Sequence, residues 1–205
     1  MKNLLKLAGL LAVGLVTVAA SNYQPEVAAW NVDGAHTAIS FSVRHFFTPV
    51  NGTFSDYEID LSFDAENPQN TTFEVKVAVA SVSTGVEKRD NHLRSADWFE
   101  VDKYPYMTFK STSVKRVGTN EFLAVGDLTI KDVTKQVELP IAVLGIKEIP
   151  EPMQDMLGGV SRVASFEGGS EIDRRDFDVG VGTWAETMIV SPDVAIEIVV
   201  EANLK

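Results

Sequence analysis

An all-β fold of about eight antiparallel strands is predicted by three observations. Apolar and polar residues alternate with period two in several stretches. Turn residues separate those stretches at short intervals, as in a meander of hairpins. The chain has 205 residues, 45% hydrophobic and 23% charged, a globular mixture sized for one domain.

Taken in chain order, the first twenty residues read as a signal peptide, leaving one domain over 21–205. Lys2 and Lys6 form a basic start, Leu7 to Val18 an apolar run, and Ala19, Ala20 and Ser21 a small-residue end. The run is shorter than the roughly 20 residues that a membrane span needs. Cleavage predicts a periplasmic or secreted protein with no stable membrane span.

Ile39, Phe41 and Val43 then alternate with Ser40, Ser42 and Arg44. A β-rich stretch follows over 51–63, and Phe73, Val75, Val77 and Val79 alternate with polar partners. Thr84 and Glu87 stand three apart, as in a capping box, so a short helix is expected over Gly85 to Arg94. Asp97 and Glu100 repeat that spacing before Tyr104-Pro105, which leaves room for about one more turn. Strand-like stretches resume at 106–116 and 120–130, with Val137, Leu139, Ile141 and Val143 in one period-two row. The segment Lys147 to Gly159 holds two prolines and two glycines and is expected to be a loop. Its Met153, Met156 and Leu157 suit either a lip on a cavity or a hydrophobic plug. A stretch over 160–174 follows, with Gly168-Gly169-Ser170 read as a turn, and Val194, Ile196, Ile198 and Val200 share one parity near the end. Alternation puts apolar side chains on one face of each strand. It leaves a hollow barrel and a packed sandwich equally open.

Composition excludes several chemistries. The chain has no cysteine, so disulfides, thiol catalysis and cysteine metal sites are absent. Its formal charge of -11 falls to -13 without Lys2 and Lys6, and such a protein repels phosphates. Nucleic acid is therefore not an expected partner. His36, His45 and His92, the only histidines, lie 9 and 47 residues apart without a His-x-x-x-His pair, which disfavours zinc. No Gly-x-Ser-x-Gly elbow supports a serine hydrolase.

Several ordered motifs carry a resemblance. They are Asp33-Gly34-Ala35-His36 with Phe41-Ser42-Val43-Arg44-His45, Gly52-Thr53-Phe54, and Arg89-Asp90-Asn91-His92-Leu93 with Trp98-Phe99 and Tyr104-Pro105. Gly126-Asp127-Leu128-Thr129-Ile130, Val133-Thr134-Lys135 and Arg174-Arg175-Asp176-Phe177 complete the series. From about Trp30 to the C-terminus the chain resembles the YceI-like family. The resemblance implies a single antiparallel lipocalin-like β-barrel with a long apolar channel. It also implies bacterial export and a ligand that is a polyisoprenoid or similar long-chain, fatty amphiphile. No cofactor is implied. A second copy of the chain, as a homodimer, stays an open alternative. The family usually carries glycine at the position of Asp132, and aspartate tolerates a left-handed turn there.

Parity and motif together nominate the ligand-binding residues. Phe41, Val43, Phe54, Val77 and Phe109 are expected to line the cavity. His45 shares the parity of Val43 and should point inward at the strand end. Arg89 and His92, three apart, share a helical face, and Asp90 can orient them. With His36 these residues form a polar cluster at the barrel mouth, for a ligand head group or for a structural network. The expected function is a carrier or sequestering protein with no catalytic residues. An enzyme acting on such a lipid through the His/Arg cluster is the alternative.

Overall fold

The computed structural model describes residues 27–185 and 188–205. The expected signal peptide lies outside the described residues. Eleven strands are present among them: β1 (Ala29–Val32), β2 (Ala38–His45), β3 (Thr48–Phe54), β4 (Tyr57–Ser62), β5 (Thr72–Ala78), β6 (Val82–Ser83), β7 (Tyr106–Arg116), β8 (Glu121–Ile130), β9 (Val133–Glu148), β10 (Arg162–Asp173) and β11 (Val190–Leu204). Two short helices, α1 (Glu87–Arg94) and α2 (Glu151–Gln154), interrupt the series.

Eight strands close a barrel in the order β1-β4-β5-β7-β8-β9-β10-β11, and all pairings are antiparallel. The four residues of β1 make the closure, pairing β4 at Trp30↔Leu61 and β11 at Val32↔Ala202. β2 continues along the same edge of β11, then pairs β3, which pairs β6. Closure leaves no long unpaired edge and encloses an interior. Alternation then decides what faces it: Ile39, Phe41 and Val43 pair with Ile198, Ile196 and Val194.

Several expectations need correction. The stretch 51–63 is two strands broken at Ser55-Asp56. Gly168-Gly169-Ser170 is not a turn but the middle of β10, paired with Ile198, Glu197 and Ile196. The helix starts at Glu87, with Val86 as its N-cap and no side-chain cap. Thr84 is therefore not a capping residue, because its hydroxyl is committed elsewhere, as described below. The Asp97–Glu100 segment forms turns only. β9 runs on to Glu148 and β10 begins only at Arg162, so the loop keeps its length but shifts by two residues to 149–161 around α2. Met153, Met156 and Leu157 there are exposed, so they plug nothing. They sit where β9 ends, β10 begins and β11 ends, opposite the mouth, so they are not its lip.

The turn at Lys131-Asp132 has φ of 50° and 61°. Aspartate holds the left-handed position expected of it. At the end of the barrel opposite the mouth, Phe63 stands edge-on to Phe122 at 5.7 Å and to Phe166 at 4.9 Å. These rings fill the taper with Trp30 and the fully buried Ala124, Ala164 and Ala202.

Candidate functional site

A file of apolar voids runs through the barrel. The deepest, about 70 Å³, lies between Phe63, Phe73, Phe166 and Val200. It shares Val75, Leu139 and Ile198 with a second void of about 90 Å³ that Val77 and Phe109 also line. That void shares Ile39, Met107, Ile130, Ile172 and Ile196 with a third, about 100 Å³, bounded by Phe41, Val43 and Phe54. Phe41, Val43, Leu93 and Trp98 then line both the third void and a mouth cavity of about 600 Å³. The mouth reaches Val190 and the deepest void Val200 on β11. Ten steps at ~3.3 Å along a strand tilted by roughly 40° give a channel about 25 Å long.

Two glycines give the channel its bore. A Cβ at Gly52 would lie 2.3 Å from the Phe41 ring, and one at Gly126 would lie 2.3 Å from the Phe109 ring. Each glycine lets an aromatic ring lie against the opposite backbone.

Polar groups gather at the mouth. His45, Thr48, Thr84, Arg89 and His92 line it with Trp98 and Trp184. α1 presents Arg89 and His92 on one face because they are three residues apart. Asp90, only 7% exposed, accepts through Oδ1 from the Thr84 backbone N–H at 2.8 Å and from the Thr84 hydroxyl at 2.5 Å. The Thr84 oxygen in turn accepts from Arg89 Nε at 2.6 Å, while Arg89 Nη2 donates to the Thr84 carbonyl at 3.0 Å. Asp90 thus holds the arginine through a relay rather than by an ion pair. Arg89 Nη1 makes no hydrogen bond among the described residues, so part of the fork is available to a ligand. His92 Nε2 lies 3.0 Å from Asp97, and its ring stands edge-on to Trp184 at 5.1 Å.

A second arginine shapes the same end. Arg174 is 3% exposed and donates to five backbone carbonyls, those of Ser191, Val179, Gly180, Trp184 and Val190. Its guanidinium also lies 5.1 Å from the Trp98 ring centre. Burial lowers its pKa from the ordinary arginine value, yet the ring of carbonyl oxygens suits the cation. Arg174 therefore gathers Val179, Gly180, Trp184, Val190 and Ser191 around one side chain at the mouth end. Trp98 Nε1 is buried there without a hydrogen-bond partner among the described residues.

A family model described as the YceI-like domain matches residues 30–202. The chain belongs to the YceI-like family. A UPF0312 protein of Photorhabdus laumondii is 35% identical over 179 residues, covering 86% of either chain. Protein YceI of Escherichia coli O157:H7 is 37% identical over 148 residues, 72% of this chain and 73% of that one. Among solved structures, BcnA of Burkholderia cenocepacia superposes with a TM-score of 0.74 at 27% identity, over 84% of this chain and 99% of its own. A polyisoprenoid binding domain from Saccharophagus degradans gives 0.62 at 13% identity, over 88% and 100%, a likeness of fold.

In this YceI-like chain the expected site residues fall into two groups. Phe41, Val43, Phe54, Val77 and Phe109 all line the channel, and His45, Arg89 and His92 all line its mouth. His36 does not join them. It precedes β2, whereas His45 ends that strand, so about nine residue steps, roughly 30 Å, separate the two. There His36 Nδ1 lies 3.0 Å from Asp33 and 3.6 Å from Glu201, and the hydrogen bond with Asp33 raises its pKa above 6.5. Thr84, Trp98, Trp184 and Arg174 were not nominated by parity. Trp98 and Arg174 stand in the family motifs, which was the available signal.

Proposed function

We propose that the protein binds a polyisoprenoid or similar long-chain amphiphile, tail in the channel and head at the mouth, for transport, storage or sequestration. One observation carries this reading: a file of adjoining apolar voids spanning about 25 Å, whose charged lining residues are confined to the mouth end. An apolar tunnel supplies affinity without direction, and a few placed polar groups fix which end enters. The polyisoprenoid binding domain of S. degradans, with the same fold, supports the ligand class. The order of basic, apolar and small residues at the N-terminus supports export.

Mass spectrometry of organic extracts from gently purified protein tests the reading. A stoichiometric long-chain lipid supports a carrier. Extracts without lipid, together with turnover of an offered isoprenoid, would replace it with an enzyme. Arg89→Ala refines the result. It should weaken a lipid with an anionic head by about 1–3 kcal/mol and leave a headless chain of equal length nearly unchanged. Equal weakening of both would make Arg89 a structural tie.

A further inference from the structure

The mouth of the channel carries an apolar tip that faces water. β2 and β3 are joined by the two-residue turn Phe46-Phe47, closed by the pair His45↔Thr48. Phe47 is 90% exposed and Phe46 52%. A neighbouring loop adds Met188, 80% exposed, and Ile189. The two loops form one surface, because the Phe46 backbone N–H donates to the Ile189 carbonyl at 2.7 Å. Ile189 also lines the mouth cavity, so the tip is continuous with the channel opening.

This tip is built at a conformational cost. Phe46 has φ of 52°, the left-handed region that hairpin turns ordinarily give to glycine or asparagine. A bulky aromatic residue there is strained, and strain of this kind persists where function requires it. Arg44 steadies the turn, its Nη1 donating to the Phe47 carbonyl at 3.3 Å. Two aromatic rings lead and a guanidinium stands behind them, the order in which side chains meet a bilayer surface.

We propose that the Phe46-Phe47 tip, with Met188 and Ile189, inserts shallowly into a phospholipid bilayer and sets the channel mouth against it. A cargo lipid then passes between bilayer and barrel without crossing water. The proposal rests on the lipid-carrier reading. The area of the tip argues against a second copy as the occupant. The four residues of the tip, exposed to this degree, offer roughly 500 Å², against about 800 Å² per partner for a stable protein interface. An acidic chain facing its own copy would also repel it.

The test is flotation with vesicles of phosphatidylcholine, alone and mixed with phosphatidylglycerol, at low and high salt. The chain over 21–205 should float with phosphatidylcholine, and high salt should change this little, because apolar insertion is not screened; with phosphatidylglycerol its negative charge should weaken flotation at low salt, and high salt should restore it. Phe46→Gly fits the observed φ and should fold at least as well as the parent. Phe46→Gly combined with Phe47→Ser should lower vesicle partitioning at least tenfold. Lipid co-purified with that double variant should match the parent, and its delivery to acceptor vesicles should slow. A parent that binds neither vesicle, or a double variant that floats like the parent, overturns the docking proposal. So does self-association that the double variant loses. Absence of co-purified lipid from the parent would instead overturn the carrier reading, whatever the flotation result.

Discussion

Ile196→Asp asks whether the interior wall is where the register puts it. Ile196 pairs with Phe41 and lines two of the inner voids, while its neighbour Ala195 is exposed and pairs with Ser42. Among the described residues Arg174 is the one cation lining either void, and its donors are committed to five carbonyls, so the introduced group escapes its burial cost by taking up a proton. At pH 7 that proton costs about 1.36 × (7 − 3.9), or about 4 kcal/mol, and at pH 5 about 1.5 kcal/mol. The sign follows from linkage. A raised folded-state pKa destabilises above the unfolded value, and the penalty fades as pH falls. For a domain of this size the midpoint of thermal unfolding should drop by roughly 8–16 °C at pH 7 and by roughly 3–6 °C at pH 5. Ala195→Asp should move it by less than about 2 °C at either pH, within the usual surface range. The assay is thermal unfolding by circular dichroism at the two pH values, with retained lipid measured on the same samples. A damaging Ala195→Asp beside a neutral Ile196→Asp would put the register off by one residue and refute the inward face assigned here.

Thr84→Val removes the hydroxyl between Asp90 and Arg89 and should cost about 1–3 kcal/mol of stability in denaturant titration; an unchanged midpoint would dismiss the relay. Arg174→Met strands five carbonyls and should cost about 3–5 kcal/mol while loosening Trp98 and Trp184, read from near-ultraviolet circular dichroism; an unaltered tryptophan signal would end its role as organiser of the mouth. His36 should titrate above 6.5 by nuclear magnetic resonance, and Asp33→Asn should bring it down. Because its folded-state pKa is raised, the His36 contact supports the fold below about pH 6.5 and is lost as pH rises through the folded value.

The fold was legible where its signal is local. Alternation along β2, β5, β9 and β11 reports which face is apolar, and closure follows from the family resemblance. The four residues of β1 carry too short a pattern to be read, although they close the ring. At the site, the wall residues were legible by parity and the mouth residues by motif. His36 was grouped with His45 and His92 by residue type, but the length of β2 places it at the opposite end. Thr84 matched a capping box, but the buried Asp90 competes for the same hydroxyl and takes it. Arg174 could not be placed, because its five acceptors come from loops that only the closed barrel brings together.

The two ends of the barrel are held by different forces, and on the proposed carrier reading the difference bears on where a lipid would enter. At the far end, edge-to-face phenylalanines pack against a sheet ring that β1 closes. Opening it would break backbone ladders on both sides of β1 together with the core they enclose. At the mouth, the segments 84–105, 174–185 and 188–189 lie outside the barrel strands. They are fixed by side chains, the first by the Thr84–Asp90–Arg89 relay and the second by Arg174. Local openings draw on the part of a structure with the fewest backbone ladders, so these segments can part while every barrel strand stays paired. The polar groups that would read a head group are then the same ones that hold the mouth segments in place. A ligand oxygen on Arg89 Nη1 would leave the relay intact, whereas one that took Nε from the Thr84 oxygen would loosen it in the same step.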